Sequence, residues 1–401
     1  MISDVYFPRV NGVSTSIETF RHDLHDLGIA TALIAPDYAA APAPAEPDVI
    51  RIPARFLPLD PEDRMMRLAP IRKLTARLRE QRYDLIHIQT PFVAHYAGIE
   101  LADALGVPRI ETYHTFFEEY LFHYVPFLPR RWLRGFARRF SRIQGNQVDA
   151  LIVPSRAMRE RLAQYGVRRP MHVLPTGIPL ARFAGGDGAS FRARFGIAPG
   201  RPTVAYVGRV AFEKNIDFLL RATALARRSV PDLLLVVTGE GPALKSLKRL
   251  ARRLRIEDNV LFVGYLDRRS GLVDGYCAAD AFVFASRTET QGLVLLEAMA
   301  LGVPVVSTAV MGTRDILDAG RGALVSPDNE EDFASQMVRL LQNGELRARL
   351  ALEARDYAQE WNATTMARRL TDFYRTLLPS RSEETTEATD LRPQRVSGAT
   401  T

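Results

Sequence analysis

Two glutamates bracket the segment Glu289-Thr290-Gln291-Gly292-Leu293-Val294-Leu295-Leu296-Glu297, and their setting suits a charged, hydroxyl-rich ligand. The segment follows Asp280-Ala281-Phe282-Val283-Phe284-Ala285-Ser286, an apolar run of the kind found in a buried parallel strand. It leads into Ala298-Met299-Ala300-Leu301-Gly302-Val303-Pro304, which reads as a helix ending at Gly-Val-Pro. Glu289 therefore belongs to a loop at a strand end, Gly292 opens a helix, and Glu297 lies about one turn inside it. Amides approached closely at a glycine, at the positive end of a helix, face phosphate well. Carboxylates accept hydrogen bonds from hydroxyls. A sugar diphosphate offers both partners. Taken alone, the pair also fits a surface loop with two solvated acids.

Other strand ends carry complementary groups. Gly208-Arg209 follows the apolar run Thr203-Val204-Ala205-Tyr206-Val207, and Glu213-Lys214-Asn215 opens the next helix, so Arg209 and Lys214 can converge on one crevice. Two fixed cations are what a departing nucleoside diphosphate requires as its negative charge grows; the plain alternative is a solvated basic loop. Gly12, in Asn11-Gly12-Val13 before Ser14-Thr15-Ser16-Ile17, is placed to let a loop close over a diphosphate, or is an ordinary turn. His114, in Thr112-Tyr113-His114-Thr115, stands at a strand end and is either a cleft residue or a hydrogen-bonded structural histidine.

The segment from Glu289 to Glu297 resembles the Glu-x7-Glu signature of the retaining glycosyltransferases of family 4, enzymes of the GT-B fold. The wording Ser286-Arg287-Thr288-Glu289-Thr290-Gln291-Gly292-Leu293 is similar to the branch that glycosylates diacylglycerol and related lipids. Gly208-Arg209 with Glu213-Lys214-Asn215 matches the family's motif residue for residue, Asn11-Gly12-Val13 matches its first loop, and Thr112-Tyr113-His114-Thr115 recurs in the lipid-glycosylating branch. The resemblance implies that Glu289 contacts the transferred sugar, Glu297 holds the nucleotide ribose, and His114 positions the sugar. It implies that Arg209 and Lys214 stabilise the departing diphosphate and that Gly12, Gln291, Gly292 and Leu293 line the donor site. Gly264 and Leu266, in Gly264-Tyr265-Leu266, would hold the base through backbone groups. Gly312-Thr313-Arg314-Asp315 departs from the family in carrying Asp315 where glutamate is common, and no role is assigned to it.

No Asp-x-Asp signature stands at a strand end, so neither a metal nor a cofactor is required beyond the nucleotide-sugar donor. The expected activity is metal-independent transfer of a hexose from a nucleotide sugar of the UDP-glucose type, with retention, to a hydroxyl on a diacylglycerol-type lipid. The alternatives are transfer to a soluble or polysaccharide-bound sugar, and a sugar-nucleotide- or membrane-binding protein without catalysis. A full set of Glu289, Arg209 and Lys214 argues against binding alone.

At 401 residues the chain exceeds one ordinary core, and 47% apolar with 25% charged residues place it among globular proteins. Short apolar runs alternate with helical patterns in both halves, so the expected class is α/β, with two doubly wound parallel-sheet, Rossmann-like domains facing a deep cleft. Residues 1–183 form the expected N-terminal acceptor domain and 184–360 the nucleotide-sugar domain, with the Gly-rich stretch 184–189 as linker. A helix over 361–378 should return to the first domain, and 379–401 is polar enough to be a disordered tail. Only Met1-Ile2-Ser3 precede the Gly12 loop; so short a first strand should leave neighbouring backbone groups without partners and the loop poorly anchored.

A net charge of +7 favours an anionic partner. No zinc-finger spacing or RNA-binding aromatic pattern is present, and much of the basic charge falls on amphipathic segments, which argues against nucleic acid. Cys277, the single cysteine, excludes an intramolecular disulfide and reads as a small core residue. No apolar run reaches the ~18 residues of a membrane span and no secretory leader is evident, so a cytoplasmic location is expected, peripheral on the inner face of the membrane. The contact would be residues 129–143, where Trp132, Phe136, Phe140 and Ile143 form an apolar stripe flanked by Arg131, Arg134, Arg138 and Arg142. The same spacing also describes a helix whose stripe faces the core.

Overall fold

The structure is a computed structural model that describes residues 1–9, 11–38, 46–57, 60–114, 129–267 and 271–378. The expected disordered tail at 379–401 lies outside the described residues.

The continuous apolar runs become parallel strands because helices cover both faces of the sheet; the inner strands are fully buried, while Val260–Gly264 at the edge is half-buried. In the second half six strands form one sheet in the order Val260–Gly264, Leu234–Thr238, Thr203–Val207, Ala281–Phe284, Val305–Ser307, Ala323–Val325, and every pairing is parallel. Val204, Leu235, Val237, Phe282 and Val283 are fully buried at its centre. The strand order reverses between Thr203–Val207 and Ala281–Phe284, and a crevice opens beyond the carboxyl ends of strands at such a switch point. Those two strands lead directly into Gly208-Arg209 and into the Glu289 loop.

The first half repeats the plan. Ile86–Ile88, Arg109–Thr112, Ala150–Val153 and Met171–Val173 form one parallel ladder, and Leu33–Pro36 pairs with Val49–Ile52. Ile2 bridges the two by pairing with both Ile34 and Ile88. The first strand is as short as the sequence implies, yet the neighbouring backbone groups do not lack partners. Ile2 donates to His87 O at 3.0 Å, accepts from Gln89 N at 2.9 Å, and Ser3 N donates to Ile34 O at 3.0 Å. The loop beyond it is anchored too: Asn11 caps the Gly12–Asp26 helix through Ser14 N, and Ser14 Oγ bonds Arg9 O at 2.6 Å.

The strands Val49–Ile52, Met171–Val173 and Ala323–Val325, and the antiparallel hairpin Ala54–Leu57 with Asp60–Met66, have no counterpart in the sequence reading. Strands of three or four residues are too short to show a period, and Asp60-Pro61-Glu62-Asp63-Arg64 reads as loop.

The chain passes between the sheets at Gly177–Ile178, so the Gly-rich stretch 184–189 follows the crossing rather than making it; Asp187 already bonds Asp274 and caps the Gly188–Arg194 helix. The return crossing lies against the first. Ile178 N donates to Trp361 O at 2.8 Å, Ala363 N donates to Ile178 O at 3.0 Å, and a Cβ on Gly177 would stand 2.4 Å from Ala363 Cα. Beyond it the Ala363–Leu377 helix packs Met366, Ala367, Leu370 and Phe373 against Phe20, Leu24, Ile110 and Ile152 of the first half. Tyr374 hydroxyl bonds His87 Nδ1 at 2.7 Å. Cys277 is half-buried against the second core.

Candidate active site

Lys214 and Glu289 meet at the switch point of the second sheet. Lys214 ends a single 3-10 turn, Phe212–Lys214, and its Nζ lies 2.5 Å from Glu289 Oε1, each side chain about four-fifths buried. Asn215 adopts left-handed backbone with φ 56° and its side chain donates to Ala285 O at 3.0 Å, which fixes the turn against the strand that leads to Glu289. Arg209 is more open, 44% exposed, with Nη1 3.7 Å from Glu213 Oε1. A guanidinium with so loose a partner keeps donors for an incoming anion.

The Arg209 loop owes its position to a glycine that sequence reasoning did not single out. Gly239 has φ 124° and lies so close to the loop that a Cβ would stand 2.0 Å from Gly208 O. Gly208 N bonds Thr238 O at 3.1 Å and Val210 N bonds Glu240 O at 2.8 Å, so the loop runs on as an extension of the sheet. The pattern Gly239-Glu240-Gly241 after a strand was the available signal.

Gly292, at φ 99°, opens the Leu293–Ala300 helix, and no side chain caps that end. Its positive terminus, with Leu293 in the first turn, is therefore open to an anion. Glu297 faces inward: it is 4% exposed and Oε2 accepts from Tyr276 hydroxyl at 2.8 Å. Gln291 is also buried, but its side chain is used elsewhere. Thr176 N donates to Gln291 Oε1 at 2.8 Å, and Gln291 Nε2 donates to Thr176 O at 2.7 Å, so the amide expected among the donor ligands is engaged with the crossing segment.

Across the cleft, Thr290 hydroxyl donates to His114 O at 3.2 Å, which sets the histidine beside the Glu289 loop. Burial pulls the His114 imidazole down to a pKa of about 4, so the ring is neutral at pH 7. Its Nε2 lies 3.0 Å from Gln89 Oε1; with the proton on Nε2, Nδ1 is left to accept from a hydroxyl. Residues 115–128, which follow, lie outside the described residues. At Gly12 a Cβ would meet nothing within 4 Å among the described residues, so no contact among them demands the glycine. Gly264, φ 76°, gives its carbonyl to Gly239 N at 2.8 Å, while Leu266 is a core residue. Tyr265 between them is the exposed side chain, at 59%.

Two further groups emerge from the geometry. Asp4 caps the Val93–Leu105 helix, accepting from Phe92 N and Ala94 N and from Thr90 hydroxyl at 2.8 Å. Burial raises its pKa to about 7 against the pull of those bonds. Asp315 accepts from Arg156 N across the two halves at 2.5 Å, and Asp318 pairs with Arg156 Nη2 at 3.1 Å. The potential metal ligands His22, Asp23 and Asp26 gather on the later turns of the Gly12–Asp26 helix, far from its start, with His22 and Asp26 exposed.

Two Rossmann-like domains with a cationic and carboxylate site at the cleft define the GT-B glycosyltransferase class. Residues 10–182 match the family described as Glycosyltransferase Family 4, and residues 188–357 match Glycosyl transferases group 1. The alpha-monoglucosyldiacylglycerol synthase of Streptococcus pneumoniae is 35% identical over 320 residues, covering 77% of this chain and 70% of that protein. The GDP-mannose-dependent alpha-mannosyltransferase of Mycobacterium tuberculosis is 28% identical over 372 residues, 89% of this chain and 92% of that one. Among solved structures, sucrose-phosphate synthase from Thermosynechococcus elongatus superposes with a TM-score of 0.75 over 94% of this chain and 98% of its own, at 22% identity. The chain belongs to glycosyltransferase family 4 and is a hexosyltransferase.

Proposed function

We propose that the protein transfers a hexose, with retention, from a nucleotide sugar of the UDP-glucose type to a hydroxyl of a diacylglycerol-type lipid at an anionic membrane surface. The observation that carries the reading is the Lys214–Glu289 pair at the switch point, with the neutral His114 across the cleft. The diphosphate departs toward Arg209, Lys214 and the uncapped helix end at Leu293, where growing negative charge is stabilised by groups already in place. Glu289 and His114 hold sugar hydroxyls. The acceptor oxygen bonds the anomeric carbon on the face the phosphate leaves, the carbon–phosphate-oxygen bond breaks, and the acceptor proton passes to the departing phosphate oxygen. No enzymic base and no metal ion is needed in this scheme. The relatedness to a synthase named for an alpha-glucosyl lipid supports both the acceptor class and an alpha product, which retention yields from an alpha-linked donor.

The membrane part of the reading rests on the Arg130–Gly145 helix. Leu133, Ala137, Ser141 and Gln144 are buried, so they make the face that packs on the first domain. Trp132 at 66%, Phe136 at 58% and Ile143 at 43% exposure point outward; Phe140, half-buried, stacks on Phe136. An outward aromatic row among arginines suits the headgroup region of an anionic leaflet. Among the described residues no helix is long and apolar enough to cross a membrane.

The test is a product analysis with UDP-glucose, UDP-galactose and GDP-mannose against diacylglycerol vesicles, total lipid extract and soluble sugars. An alpha-linked glycolipid is expected. A beta-linked product would overturn retention, and transfer confined to soluble sugars would favour the alternative acceptor.

A further inference from the structure

We infer that Gln291 is a positioning residue that ties the Glu289 loop to the interdomain crossing and, through Thr176 and Ser16, to the helix that opens at Gly12. The inference rests on the transferase site proposed above. Gln291 is 6% exposed, and its amide spends its oxygen and one of its donors on a single residue, accepting from Thr176 N at 2.8 Å and donating to Thr176 O at 2.7 Å. An amide held by donor and acceptor at once has one orientation. Thr176 Oγ1 lies 2.7 Å from Ser16 Oγ, and both hydroxyls are buried. Ser16 sits in the first turns of the Gly12–Asp26 helix, which Asn11 caps through Ser14 N.

Thr176 immediately precedes Gly177, where the outgoing chain packs on the returning Ala363. The residue that Gln291 grips is therefore the last one before the crossing. Two neighbouring contacts join the same pair of halves: Thr290 hydroxyl with His114 O, and Met311 packed against the first core. Gln291 stands two residues from Glu289 and one before Gly292, so its grip sets the register of both against the opposite domain. Parting the halves would strip buried donors and acceptors of their partners, which is costly unless water reaches them. The arrangement makes the assembled site and the closed cleft one state.

The experiment compares the parent with Gln291→Leu, which removes both bonds, and Thr176→Val, which removes the hydroxyl but keeps the backbone groups that meet Gln291. Affinity is measured by calorimetry with UDP alone and with GDP alone, turnover with the active donor, and hydrogen exchange over residues 11–16 and at the Thr176 amide. Both variants should bind nucleotide within about twofold of the parent while kcat falls by about tenfold and donor KM holds. Exchange at Thr176 should rise in Gln291→Leu, and exchange over 11–16 in both. Nucleotide binding weakened tenfold or more in Gln291→Leu, with Thr176→Val at parental values, would make Gln291 a donor ligand and overturn the inference. Parental kcat in both variants despite faster exchange would overturn it as well. If Gln291→Leu does not fold, Gln291→Asn, whose amide is one methylene too short to keep both bonds, takes its place with the same expected and overturning results. If the parent transfers no sugar, the proposed function fails, while affinity and exchange still report on Gln291: unchanged exchange at Thr176 and over 11–16 would overturn the tie.

Discussion

Removing the outward aromatics of the Arg130–Gly145 helix should separate membrane docking from folding. Full burial of a large apolar side chain is worth roughly 1.5–3 kcal/mol. Trp132 and Phe136 are 66% and 58% exposed, so that much of each surface remains to be buried in a leaflet. Scaling by those fractions gives about 1–2 kcal/mol per residue, or about 2–4 kcal/mol for Trp132→Ala with Phe136→Ala, a weakening of about 30-fold to 1000-fold in partitioning. Stability should change little, because the buried face is Leu133, Ala137, Ser141 and Gln144. Arg131→Glu with Arg139→Glu acts through charge, with each basic residue near an anionic leaflet contributing ~1 kcal/mol. Flotation with neutral phosphatidylcholine vesicles and with vesicles containing phosphatidylglycerol, at low and high salt, reads both effects. The parent should float with anionic vesicles and release them as salt rises. Parental flotation by the folded Trp132→Ala, Phe136→Ala protein, or equal recovery with neutral and anionic vesicles, would refute the reasoning.

Arg209→Ala or Lys214→Ala should lower kcat/KM by an amount equivalent to roughly 2–4 kcal/mol in the barrier, with folding intact by circular dichroism; near-parental kcat/KM would remove the residue from the phosphate clamp. Glu289→Gln, which keeps shape and removes charge, should slow turnover in the same assay. Asp4 has its folded pKa raised from 3.8 to about 7, so its contribution to stability is fully present below pH 4 and is lost as pH rises to 7. The denaturation midpoint of Asp4→Asn relative to the parent should therefore climb between pH 4 and pH 7, and a parallel pair of curves would count against the assignment. Because the His114 pKa falls to about 4, kcat/KM should show no histidine limb near pH 6.5, and replacing His114 by Gln should leave the shape of the profile above pH 6 unchanged. Treatment with EDTA should leave transfer at the parental rate; a loss restored by a divalent cation would contradict the metal-independent scheme.

The doubly wound class was legible because Val204, Leu235 and Phe282 lie in runs without polar breaks, which is what burial on both faces requires. The helix opening at Gly292 was legible as well, since a left-handed residue at that point calls for glycine. The grip of Gln291 on Thr176 was not, because residues 115 positions apart meet only after both sheets have formed. Asp315 illustrates the same limit: its partner Arg156 N belongs to the other domain, and no local pattern announces a cross-domain bond. The Arg130–Gly145 helix shows a different one. Its sequence carries two apolar rows, and deciding which of them packs inward required the first core, where Leu133 and Ala137 prevail over the bulkier Trp132 and Phe136.

The twin crossing at Gly177–Ile178 and Trp361–Ala363 bears on how the cleft opens. The two crossing segments meet in a single parallel bridge, in which Ile178 spends both of its backbone groups on Trp361 and Ala363 of the returning chain. One bridge holds the two segments together at a point and leaves the backbone on either side of it to take up the dihedral changes of any domain motion. The absence of room for a side chain at Gly177 stiffens the bridge against shear. The two domains should therefore part by pivoting at this bridge, which stays fixed while the contacts farther from it separate.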